Sequence, residues 1–234
     1  MTTLTPQISV IIPVLNEEGN VRPLVGEIEA ALAQRMRFEV VIVDDGSTDG
    51  TSMEIEDLAS CRGWLTTILH STTRGQSAAI RSGVQAARAR IIAVLDGDGQ
   101  NDPADIPTLF AHLEMMPGIE MVAGRRVRRQ DSLLRKVTSR IANSVRNFLL
   151  KDGVKDTGCG LKVCYRDQFL ELPAFDHMHR FLPALVQRRG GTVHCVPVNH
   201  RPRIHGQSKY GVGNRLWVGI ADLLGVMWLQ KRRI

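Results

Sequence analysis

"FEVVIVDDGSTDGTSMEIEDLASC", residues 38 to 61, decides the fold. Val40, Val41, Ile42 and Val43 form a short, continuous β-branched run with no polar alternation, the pattern of a strand covered on both faces. The run ends on Asp44 and Asp45, then breaks at a turn rich in Gly, Ser and Asp. A helix begins after it, with Asp49 or Thr51 as the candidate cap. A strand buried on both sides followed at once by a helix is half of a βαβ unit.

The same unit repeats outward in both directions. "ISVIIPVL" (8–15) is a second buried strand. The stretch after it carries Val21, Leu24, Val25, Ile28 and Leu32 at helical spacing. "LTTILHS", "RIIAVLDGDGQ" and "IEMVAGRR" supply three more strands. "GQSAAIRSGVQAARA" is a small-residue helix able to pack closely on a sheet, and "DPADIPTLFAHLEMM" a helix with proline in its first turn. This alternation predicts an α/β chain, a mostly parallel sheet flanked by helices. In such a sheet, ligands bind beyond the carboxyl ends of the strands. "VDDGS" and "LDGDGQ" both lie at such ends, so two strands deliver carboxylates to one crevice.

The chain has 234 residues, 43% of them hydrophobic, and a formal charge of +6. That suffices for one sizeable core and suits an anionic partner: nucleic acid, a membrane surface or a phosphorylated substrate. Four scattered cysteines without CxxC pairs, and no basic-then-apolar leader, predict a reduced, cytoplasmic chain. No stretch reaches the roughly 20 apolar residues of a membrane span. The nearest, Leu216–Leu229, has two tryptophans and a basic end, which suit a helix at a membrane interface; a buried helix is the other reading. From residue 124 to 150 the texture is basic and amphipathic. Leu133, Leu134, Val137, Ile141, Val145, Phe148 and Leu149 recur at helical spacing among Arg135, Lys136, Arg140 and Arg146. The division expected is a catalytic domain over 1–210, with acceptor- and membrane-facing helices at 124–150, and a C-terminal interfacial helix over 211–234.

Asp96-Gly97-Asp98 carries the most chemistry. Residues i and i+2 of an extended chain point the same way, so both carboxylates can face one point. Gly97 permits close approach from behind. Hard oxygen ligands suit Mg²⁺ or Mn²⁺ shared with substrate phosphates, and the side-chain oxygen of Gln100 can join them. A polar turn is the alternative, which the buried strand before the pair and the second acidic strand end disfavour. Asp44, Asp45 and Glu17 face the same crevice and can accept hydrogen bonds from a nucleoside.

The set "IIPVLNEE", "VIVDDGSTDGT", "GQSAAIRSG" and "LDGDGQNDP" resembles inverting family-2 glycosyltransferases with the GT-A fold. "DTGCGLK" and "RPRIHGQSKYG" narrow the resemblance to the dolichyl/polyprenyl-phosphate hexosyltransferase branch, and it covers nearly the whole chain. "HRFLPAL" and "DTGCGLK" are similar to a bacterial subgroup resembling lipid-carrier uronosyltransferases of envelope and lipid A biosynthesis. The resemblance implies a nucleoside site of Pro13, Leu15, Glu17, Asp44 and Asp45. It implies a donor site that also includes Gln76, Asp96, Gly97, Asp98, Arg203 and Lys209, and a metal shell of Asp96, Asp98 and Gln100. Arg125, Arg135 and Ser139 fall on acceptor-phosphate positions, and Asp98, Arg125 and Arg203 on the catalytic ones. Two departures stand out: Gly99 replaces a leucine common in the branch, and no C-terminal stretch long enough to span a membrane follows. Peripheral attachment on the inner face of the cytoplasmic membrane, or through a partner protein or homo-oligomer, is therefore expected.

The expected reaction is inverting transfer of a hexosyl group from a UDP- or GDP-sugar to a polyprenyl phosphate. A phosphate monoester is largely a dianion at pH 7 and needs positioning more than deprotonation. A hydroxyl acceptor would need a carboxylate base, for which Asp156 is the candidate. A nucleic-acid-binding module explains the charge but not the acids at two strand ends, and 5% aromatic residues offer few stacking platforms.

Overall fold

The computed structural model describes residues 5–127, 146–150, 152–154, 156–203 and 212–232, with the backbone alone at 212–217. Among the described residues, seven strands form one sheet: β1 (Ile8–Val14), β2 (Phe38–Asp44), β3 (Leu65–Leu69), β4 (Ile91–Val94), β5 (Ile119–Arg126), β6 (Lys162–Tyr165) and β7 (Thr192–Val198), in the order β3-β2-β1-β4-β6-β5-β7. The pairs β1–β2, β2–β3, β1–β4 and β5–β7 are parallel, while β6 runs antiparallel to both β4 and β5. The mostly parallel α/β sheet is therefore as expected. Its fifth strand is not beside the fourth, however. The stretch "KVCY" after "DTGCGL" supplies β6, which inserts between them.

Two helical layers cover the sheet. On one face lie α1 (Val21–Leu32), α2 (Thr51–Ser60) and α4 (Ile106–Met115). Val21, Leu24, Val25, Ile28 and Leu32 are all buried there against Ile8, Val10, Ile12 and Val14. Each such side chain contributes about 2 kcal/mol by leaving water. On the other face lie α3 (Gln76–Ala86), a helical stretch at 146–150 (α5), α6 (Arg166–Leu170), α7 (Leu182–Arg188) and α8 (Val212–Lys231). α3 approaches the sheet so closely that a Cβ on Gly83 would lie 2.5 Å from the Ile11 side chain. The small residues of its sequence serve that contact.

α5 departs from its sequence pattern. Arg146, expected on a cationic outer face, is buried and ion-paired with Asp152, whereas Phe148 is 80% exposed. α8 docks through Val226, fully buried, and through Arg188, which donates to the Leu229 carbonyl (2.8 Å). Gln230 donates to the Leu150 carbonyl (3.1 Å), tying α8 to α5. Its outer side leaves Ile220, Leu224 and Trp228 exposed at four-residue intervals. Among the described residues no helix is long and apolar enough to cross a membrane.

Chain order reverses between β1 and β4: β2 and β3 follow on one side of β1, and β4 returns on the other. That switch point opens a crevice at the carboxyl ends, where Glu17, Asp44, Asp45, Asp96 and Asp98 all emerge.

Candidate active site

β1 ends with buried Pro13 and half-buried Leu15. Asn16 then takes a left-handed φ of 49°, and its side chain accepts from Thr48 N (2.7 Å), locking the β1 and β2 end loops together. Asp44 is buried and accepts from Ser47 N (2.9 Å) and the Ser52 hydroxyl. Asp45, equally buried, accepts from Arg74 N (2.9 Å) and Gly75 N (2.8 Å) and pairs with His70 Nδ1 (2.6 Å). Both carboxylates thus already brace the crevice wall.

Asp96 and Asp98 follow β4 and are half-buried. Gln76, at the start of α3, donates to Asp96 Oδ1 (2.9 Å), and Asn101 reaches Oδ2 (3.5 Å). Gly97 lies against β1: a Cβ there would stand 2.6 Å from Val14 and 3.1 Å from the Pro13 carbonyl. Burial, and then the neighbouring charge of Asp96, push the Asp98 carboxyl up to about 6; Arg203 opposes the shift and Glu17 adds to it. Glu17, Asp96, Asp98 and Arg203 therefore share one electrostatic site. Gln100 N donates to Asp98 Oδ1 (3.1 Å), and its amide nitrogen is turned to the Arg201 carbonyl (3.3 Å), so Oε1 is the end left for a cation. Among the described residues no three His, Cys, Asp or Glu side chains converge on one point. Two carboxylates and an amide oxygen at the crevice fit a hard divalent cation completed by substrate oxygens.

The basic residues are held in reserve positions. Arg203 is ion-paired with Glu17, and Arg201 with Glu27 (2.6 Å). Arg125, at the end of β5, is exposed. Arg135, Ser139 and Lys209 lie outside the described residues. Arg126 clamps Asp156 in a bidentate pair (2.8 and 2.7 Å), so Asp156 is not presented as a base. His179 bonds to the Ser77 hydroxyl (2.8 Å), and burial, then Lys162, push it down to about 3, so it is neutral at physiological pH. Cys159 and Cys164 are buried, and burial pushes them up to about 11 and about 12. They are packing residues.

The family model for glycosyl transferase family 2 matches residues 9–172, spanning the first six strands and every acid described above. The chain belongs to this family. Among curated relatives, this glycosyltransferase is 36% identical over 230 residues to a dodecaprenyl-phosphate galacturonate synthase of Rhizobium johnstonii, covering 96% of the chain and 68% of the relative. It is 34% identical over 207 residues to an undecaprenyl-phosphate 4-deoxy-4-formamido-L-arabinose transferase of Aeromonas hydrophila, covering 88% and 63%. It thus spans about two thirds of the length of these relatives. Glucosyl-3-phosphoglycerate synthase from Mycobacterium tuberculosis, solved with Mn²⁺, UDP and glucosyl-3-phosphoglycerate, superposes with a TM-score of 0.74 at 19% identity, over 96% of this chain and 80% of that one. That likeness establishes the GT-A fold.

One residue of this glycosyltransferase's site escaped the sequence reading. Lys162, in "DTGCGLK", is buried on β6 and donates to the Cys159 carbonyl. Burial pulls its pKa down, while Asp96 and Asp156 are among the charges raising it. A lone lysine after a glycine-containing stretch carries no sign of burial in the sequence; the insertion of β6 between two strands buries it.

Proposed function

We propose that the chain transfers a hexosyl group, with inversion, from a UDP- or GDP-sugar to a polyprenyl phosphate at the inner face of the cytoplasmic membrane. The relatives at 36% and 34% identity are both named for polyprenyl-phosphate products. The observation carrying the reading is the Asp156–Arg126 clamp. It occupies the carboxylate read from the sequence as the candidate base for a hydroxyl, which favours an acceptor that arrives already ionised. Arg125, Arg135 and Ser139 are assigned to the acceptor phosphate. Pro13, Leu15, Glu17, Asp44, Asp45 and Gln76 are assigned to the donor, with Arg203 and Lys209 on its diphosphate.

Mg²⁺ or Mn²⁺ would be held by Asp96, Asp98 and Gln100. When bound it stabilises the charge gathering on the departing nucleoside diphosphate. The M. tuberculosis structures with Mn²⁺ or Mg²⁺ and UDP support that assignment. The chain's own part is electrostatic. Asp96 is fixed by Gln76, Asp98 is kept close to it, and Arg203 must leave Glu17 to reach a diphosphate. Attack on C1 from the face opposite the leaving group inverts configuration.

The exposed Ile220, Leu224, Trp228 row and Phe148 supply an apolar face; Arg232 stacks on Trp228 at 4.5 Å. Aromatic and basic residues together suit an anionic bilayer surface. A uronic acid donor is the second reading, favoured by the galacturonate synthase relative. Competing UDP-hexoses, UDP-uronic acids and GDP-hexoses on polyprenyl phosphate, with mass analysis of the lipid, separates the two. Transfer to glycan hydroxyls alone would reject both.

A further inference from the structure

Lys162 faces Val94 of β4 on one side and Ala123 of β5 on the other. Directly opposite residues of an antiparallel pair share a face, and Asp96 lies two residues beyond Val94, on the same side of an extended chain. Leu95 N still bonds to the Ile11 carbonyl, so β1 guides the chain at this point. Lys162 is 4% exposed, and its Nζ donates to the Cys159 carbonyl. The next residue, Gly160, is pressed onto Asp96: a Cβ there would stand 1.9 Å from Oδ2. Asp156, the other acid acting on Lys162, is already clamped by Arg126. Asp96 is thus the carboxylate left for this buried lysine to act on.

We propose that Lys162 is a positioning residue, the built-in counter-charge of the Asp96–Asp98 pair. It makes the free enzyme a weak cation site, so that the divalent ion is taken up together with the donor diphosphate. This rests on reading the acidic pair as the cation site. Without Lys162, two bare carboxylates and Gln100 would capture a cation before any nucleotide arrived. With it, one carboxylate is offset, and phosphate oxygens are needed to complete the shell.

Titrating Mn²⁺ into the full chain without nucleotide, read by electron paramagnetic resonance at pH 7.5, tests this. Lys162→Met should bind Mn²⁺ alone about tenfold more tightly than wild type, and Lys162→Arg should stay with wild type. Circular dichroism checks folding, and Lys162→Gln replaces the Met variant if that one fails to fold. Unchanged or weaker Mn²⁺ binding in the folded Met or Gln variant, or tightening in the Arg variant, overturns the proposal. Asp98→Asn with UDP present tests the underlying reading. If it keeps wild-type Mn²⁺ affinity, the pair is not the cation site. If it loses Mn²⁺ while Lys162→Met is unchanged, only the role of Lys162 fails.

Discussion

At the scale of single residues, Asp98 sets the pH behaviour. Its carboxyl titrates near 6 in the fold against an ordinary value of 3.8, so the native state binds the proton more tightly than the unfolded chain. Ionising it costs stability. That cost is absent well below pH 4, grows between about pH 4 and 6, and is complete above. Metal-free Asp98→Asn should therefore be more stable than wild type at pH 7.5, by about 1 to 2 kcal/mol once its half-exposure is discounted. The gap should close on acidification, and transfer should fall by roughly a hundredfold or more. Melting curves at pH 4.5 and 7.5 check the sign; a wild type more stable than Asp98→Asn at pH 7.5 would contradict it. Asp156→Asn breaks a largely buried pair with Arg126, at a cost of about 2 kcal/mol or more. Turnover onto a phosphate acceptor, per folded molecule, should nonetheless stay within about tenfold of wild type, whereas a catalytic base would cost far more. Asp96, Asp98 and Glu17 were legible in the sequence because each follows a buried apolar run. Lys162 was not, because its burial is created by strands distant in the chain.

Elements were legible where one core face explains their pattern. The periodic apolar residues of α1 all point inward. α5 fails that rule because its partners are particular: Asp152 draws Arg146 inward and α8 holds the Leu150 carbonyl, which turns Phe148 out. β6 is four residues long and behind glycines, too short to show a period. Its loop yields a sharp prediction. Gly160→Ala forces a Cβ against Asp96 Oδ2, so kcat/KM for the donor should fall about 10- to 100-fold. Gly83→Ala, pressed against Ile11, should instead cost about 1 to 3 kcal/mol of stability and leave kcat of the folded enzyme unchanged. Steady-state kinetics beside thermal melts distinguish the two, and a swap of these effects would refute the placement of either glycine.

At the scale of the whole molecule, one crevice and one apolar face are proposed to act together. Serine at Phe148, Leu224 and Trp228 should weaken binding to anionic phospholipid vesicles at least about tenfold, without lowering transfer to a short-chain polyprenyl phosphate in detergent. Equal vesicle binding by the triple variant would remove the face from the account. The crevice was legible as a whole because strand order and acid positions follow from the alternation of elements. The exposed apolar face was not, because α8 is both docked and exposed, and its sequence fits either state. The most direct test of the central claim is the product itself. The full chain would be incubated with Mn²⁺, polyprenyl phosphate and a panel of UDP- and GDP-sugars, and the lipid analysed by mass spectrometry and NMR. The expected product is a sugar joined through the phosphate oxygen, with anomeric configuration inverted from the donor and formation abolished by EDTA. A retained configuration, or a sugar joined to a hydroxyl, would contradict it.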